Sequence, residues 1–200
     1  MSKNENIDLS AIKQIAIGAS AGGIQALNYL LAALPTQIST SIIIVEHLAA
    51  EQNEILIDIF NRQTANPVLF AEDKMPLEAG KIYVAPPNFH LLMEDAATFA
   101  LSVDQKVNYS RPSIDVFLES AAAVFGKNLL AIILTGANND GSAALEMIKQ
   151  MHGTTIAQAP AEAEYKAMPT AAIATGKIDH VLDLAKIATL LAKLDKRKTK

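Results

Sequence analysis

The chain is written as short apolar runs separated by amphipathic stretches. Residues 15–17, 42–45, 68–70, 82–85, 129–134 and 154–157 are runs rich in Ile, Val and Leu, bounded by turn-forming residues. Continuous runs of this kind fit parallel strands covered on both faces, because an exposed face imposes alternation with polar residues. Between them the apolar spacing becomes helical. Ile24, Leu27, Leu31 and Leu34 share one face, as do Ile114, Phe117, Ala121 and Val124, and again Leu184, Ile187, Leu191 and Leu194. Pro112 before Ser113 suits a helix start, and Ser20 and Asp140 fall at strand-to-helix turns. Residues 89–103 read as a hairpin turning near 94–97. Strand alternating with helix predicts an α/β three-layer sandwich with a mostly parallel sheet and an added antiparallel hairpin. Ligands in such folds bind beyond the C-terminal strand ends, so chemistry is sought just after each strand.

Composition narrows the class. With 200 residues, half of them apolar and 19% charged, the chain fits a single domain with a core of its own. Residues 1–11 are expected to form a loose, disordered lead, 12–194 the folded domain, and 195–200 a charged tail that frays. The absence of cysteine excludes disulfide frameworks, thiolate metal sites and Cys nucleophiles. A net charge of −4 without a basic stripe argues against nucleic acid. No apolar run reaches about 18 residues, and the polar N-terminus lacks a signal-peptide core, which predicts a cytoplasmic protein without membrane insertion. No His/Asp/Glu cluster has ligand spacing, so neither metal nor cofactor is expected.

Three strand ends carry distinctive chemistry. The first turn, Gly18-Ala19-Ser20-Ala21-Gly22-Gly23, has three readings. It matches the G-x-S-x-G of a nucleophile elbow. It also approaches a dinucleotide loop, although Ser20 replaces the glycine that lets a pyrophosphate come close. Lastly, it fits an ordinary Gly-rich turn with a capping serine. The second strand ends in Glu46-His47. Glu46 stands where a nucleotide-binding fold holds ribose. His47 is a candidate general base for Ser20, or a hydrogen-bonded histidine on the sheet rim. The run at 129–134 ends in Thr135-Gly136-Ala137-Asn138-Asn139-Asp140-Gly141. Asp140 can orient a histidine or cap the following helix, and the loop N–H groups can serve an oxyanion. Of the four histidines, His90, His152 and His180 lack comparable partners and read as structural or surface residues.

Taken together, these segments resemble the catalytic domain of the CheB-type protein-glutamate methylesterases of bacterial chemotaxis. The similarity covers about 15–184. It runs through the first turn, Ile44-Val45-Glu46-His47-Leu48, Tyr83-Val84-Ala85-Pro86-Pro87-Asn88, Arg111-Pro112-Ser113-Ile114-Asp115, the 134–141 block and Met168-Pro169. The resemblance implies a doubly wound sandwich and a Ser20–His47–Asp140 triad. It implies hydrolysis of glutamate methyl esters on receptor signalling helices with release of methanol, and in some members deamidation of glutamine. Ala21, Ala137 and Met168 are the candidate oxyanion and substrate contacts. The implied partners are methyl-accepting receptors, with a CheR-type methyltransferase or a separate receiver protein, since only about eleven residues precede the first strand. A noncatalytic regulator and a nucleotide-binding domain are the alternatives. The chain departs from the family pattern at Glu46, usually Gln, at Ala137-Asn138, usually a larger residue then Gly, and at Ala167, often Gly. A carboxylate at Glu46 would raise the pKa of His47 if turned toward it. Asn138 suits a left-handed backbone position otherwise taken by glycine.

Overall fold

The computed structural model describes residue 7, residues 9–47 and residues 53–194. In chain order the strands are β1 (Gln14–Ala19), β2 (Ser41–Glu46), β3 (Val68–Phe70), β4 (Ile82–Val84), β5 (His90–Met93), β6 (Phe99–Ser102), β7 (Leu129–Ile133), β8 (Thr154–Gln158) and β9 (His180–Leu182). The helices are α1 (Gly23–Ala32), α2 (Asn53–Asn61), α3 (Ile114–Phe125), α4 (Ala144–Gln150), α5 (Ala167–Ala174) and α6 (Leu184–Leu191).

Seven strands pair in the order β3-β4-β2-β1-β7-β8-β9, all parallel, while β5 and β6 form a separate antiparallel pair. Strands β1, β2 and β7 are buried along their whole length, as their continuous apolar runs require. Side chains alternate between two cores. Ile15, Ile17 and Ala19 join Leu27, Leu30, Ile187 and Leu191 on the face covered by α1 and α6. Ala16, Ile43 and Ile133 join Ile114, Phe117 and Leu145 on the face covered by α3 and α4. The chain runs outward from β1 through β2 toward one edge, then returns to β7 on the other side of β1. The winding therefore reverses at β1, and the ends of β2, β1 and β7 stand side by side. Ala19 is level with Glu46, and Gly18 with Ile133.

All six predicted strands and the hairpin form, the latter pairing His90 with Ser102 through Met93 with Phe99. The helix expected after Asp140 forms as α4, while the pattern did not anticipate β9, α2 or α5. Ile7 is buried in the core, with Leu9 and Ile12 packed against it. The predicted tail, 195–200, lies outside the described residues. Among the described residues no helix is long and apolar enough to cross a membrane.

Two glycines let α3 approach the strand ends. A Cβ on Gly18 would stand 2.6 Å from Ile114 Cγ2, and one on Gly141 2.7 Å from the same atom. Gly141 also has φ of 89°, a conformation that L side chains rarely adopt. The first residue of α3 thus rests directly on both, which brings the amide end of that helix against the end of β7.

Candidate active site

The three predicted residues meet. Ser20 Oγ lies 3.1 Å from His47 Nδ1, and His47 Nε2 lies 2.9 Å from Asp140 Oδ2. The side chain of His47 is 12% exposed and that of Asp140 is fully buried. The contacts link a half-exposed hydroxyl through the imidazole to a buried carboxylate that orients the ring. With Nε2–H donated to Asp140, the Nδ1 lone pair is left facing the serine. The ring is thus used in the opposite sense to the serine-protease template, in which the other nitrogen faces the nucleophile.

Local structure fixes each member. The Ser20 N–H donates to Thr135 O at 3.0 Å, and Thr135 Oγ1 donates to Ala21 O at 3.0 Å. The buried Thr135 therefore braces the turn on both sides of the serine. The left-handed backbone of this turn falls on Gly22, at φ of 76°, immediately before α1.

Asp140 is held by far more than the histidine. Its Oδ1 accepts from Ser113 Oγ at 2.8 Å, Asn108 Nδ2 at 3.0 Å, and the N–H groups of Asp115 and Gly141 at 3.1 Å. Its Oδ2 accepts from Ile114 N–H at 2.7 Å as well as from His47. Burial by itself would raise the Asp140 pKa. The bonds from His47, Asn108 and the amides of Ile114 and Asp115 outweigh it and hold the carboxyl well below the usual carboxylate range. Asp140 does cap a helix, but α3 rather than the α4 that follows it in sequence. Asp115, from the first turn of α3, returns the bond by accepting Ala144 N–H at the start of α4 at 2.9 Å. Asn108 Nδ2 bridges the two acids, 2.9 Å from Asp115 Oδ2. Burial and the adjacent Asp140 charge raise the Asp115 pKa to about 6.

The remaining candidates divide. Ala21 is half-buried beside the nucleophile and Ala137 is exposed on the loop after β7. Met168 is fully buried, its N–H donates to Gly136 O, and its side chain fills the space beside Gly136. It supports the loop after β7 from below. Glu46 is 3% exposed and turns toward the start of α1, where a Cβ on Gly23 would stand 2.2 Å from its Oε2. No hydrogen bond joins it to His47 among the described residues, and burial raises its pKa well above the ordinary value. The sequence reading missed Asn108, Ser113 and Thr135 as supports. The Arg111–Asp115 block signalled two ends of this network without revealing what its residues hold. Among the described residues no group of three His, Asp or Glu converges as a metal site.

Comparison with known proteins gives a consistent result. The family model described as CheB methylesterase matches residues 15–191. A candidate protein-glutamate methylesterase/protein-glutamine glutaminase of Leptospira interrogans is 44% identical over 181 residues, covering 90% of this chain and 94% of that protein. The corresponding enzyme of Maricaulis maris is 36% identical over 174 residues, and the match spans 86% of this chain but 43% of the longer relative. The crystal structure of the Thermotoga maritima CheB methylesterase catalytic domain superposes with a TM-score of 0.88 at 30% identity, covering 92% of this chain and 99% of that one.

Proposed function

Since this chain belongs to the CheB methylesterase family, we propose that it hydrolyses glutamate 5-methyl esters on chemotaxis-type receptor helices, with Ser20 as nucleophile, His47 as base and Asp140 as orienting acid. The observation that carries this reading is the unbroken contact series from Ser20 Oγ through both His47 nitrogens to Asp140 Oδ2.

The chemistry follows from the atoms. His47 Nδ1 takes the Ser20 proton as Oγ bonds to the ester carbonyl carbon. Negative charge collects on the carbonyl oxygen, for which the N–H groups of Ala21 and Ala137 are the donors we propose. Collapse breaks the bond to methoxide, which leaves as methanol with the proton from His47. Water then loses a proton to His47 and attacks the acyl carbon, releasing glutamate and restoring Ser20. Asp140 stabilises the transient imidazolium while itself remaining ionised. Glutamine deamidation uses the same steps with ammonia as the leaving group. A nucleotide reading leaves His47 and Asp140 without a role. The partners of this reading are methyl-accepting receptors, with a CheR-type methyltransferase or a separate receiver protein, met in the cytoplasm.

The direct test is methanol release from a methylated receptor signalling domain. Ser20→Ala should abolish release and leave Tm unchanged, because its hydroxyl contacts the histidine and no core group. Release that persists in the variant would remove the nucleophile assignment.

A further inference from the structure

The loop after β7 brings a fourth side chain to the same histidine. Asn138 Nδ2 lies 3.3 Å from His47 Nδ1, the nitrogen that also faces Ser20 Oγ at 3.1 Å. Its amide orientation is set by its other end. Asn138 Oδ1 accepts the Asp140 N–H at 3.1 Å, and that partner is a donor only. The NH2 group is therefore the end turned to the imidazole. Asp140 occupies Nε2 as an acceptor, so Nδ1 carries the lone pair. Two donors, the Ser20 hydroxyl and the Asn138 amide, thus converge on one lone pair.

We propose that Asn138 is a brake on the resting site, a positioning residue that competes with Ser20 for the base and must swing aside before the serine can be deprotonated. The inference rests on the triad reading above. Two consequences of the geometry support it. An amide donor on Nδ1 stabilises the neutral ring in the state that precedes reaction. Once Nδ1 carries the serine proton, the amide N–H faces another N–H and the contact turns repulsive. The arrangement also explains the residue itself. Asn138 does not have the left-handed backbone for which an Asn would replace Gly, since the positive-φ residues of the chain lie elsewhere. Its side chain is used for an Asx-type turn to Asp140 and for the contact with His47.

The test uses a fluorophosphonate, which reports serine reactivity without a receptor: Oγ bonds to phosphorus and fluoride departs. Asn138→Ala removes both contacts. Asn138→Ser keeps an acceptor for the Asp140 N–H but cannot reach the ring. Both variants should label about three- to tenfold faster than the parent, the size of one neutral hydrogen bond. The Nδ1 resonance of His47 in 15N spectra should shift as the amide contact is lost and the Ser20 hydroxyl becomes its remaining donor, with the Nε2–H tautomer retained. Labelling at or below the parent rate in a folded Asn138→Ser protein, with an unmoved Nδ1 resonance, would overturn the brake. Failure of the parent itself to label, with Ser20→Ala as the blank, would instead overturn the triad reading.

Discussion

Asp140 shows how one side chain serves two purposes. Its six donors come from His47, the Asn108 side chain, Ser113 Oγ and the backbone of Ile114, Asp115 and Gly141. Asp140→Asn replaces one acceptor oxygen by a donor. At Oδ2 the new N–H meets the Ile114 amide and drives His47 to the tautomer whose lone pair faces away from Ser20. We expect kcat to fall roughly 10⁴-fold, as in the serine-protease analogue. Urea unfolding should show a loss of about 1–3 kcal/mol, the cost of leaving buried donors unpaired. A stable variant with normal turnover would separate this carboxylate from both roles. Ser20, His47 and Asp140 were legible in the sequence because each lies in the turn or loop that follows an apolar run. The contact of Asn138 was not, because spacing reports where a backbone turns and says nothing about which way an amide points.

At the scale of elements, the site depends on how closely α3 and α4 lie to the strand ends. The two helix starts are capped crosswise: Asp140, in the loop before α4, serves α3, and Asp115, in the first turn of α3, serves α4. Ser113 adds the local cap, accepting from Val116 N–H. Gly141 permits the approach, and Gly141→Ala would combine a left-handed backbone with a clash against Ile114. The expected loss is about 2–4 kcal/mol by thermal or urea unfolding. Esterase activity should fall as well, since the same residue follows Asp140. An unchanged Tm would show that α3 can retreat without cost. Helices with a clear stripe, α1, α3 and α6, were readable. By contrast, α5 has Thr170 as its one polar residue and Pro169 in its first turn, so its sequence carries no helical period. Strand β9 has three residues with only Leu182 buried, too few to register as a run.

For the whole molecule, the reversal of winding at β1 places three segments far apart in sequence within one site. Contacts separated by 27 and 93 positions make the site a product of the complete sheet. Its acids also set the pH response of the fold. Asp115 binds a proton in the folded chain at pH values where the unfolded chain has lost it, so its contribution to stability falls as pH rises from about 4 to about 6. Asp140 acts with the opposite sign, its contribution being lost as pH falls below the ordinary carboxylate range. Asp115→Asn should therefore flatten the decline of Tm between about pH 4 and 6, an effect absent if the slope is unchanged.

The double duty of Asp140 bears on descent as well as on chemistry. In a lineage that ceased to hydrolyse esters, selection for a folded chain would still preserve the aspartate, because the start of α3 hangs on it. Ser20, whose hydroxyl supports nothing but the histidine, would be free to drift. Among distant cousins, an aspartate at this position therefore says little about whether the enzyme is alive, and the serine says most of it.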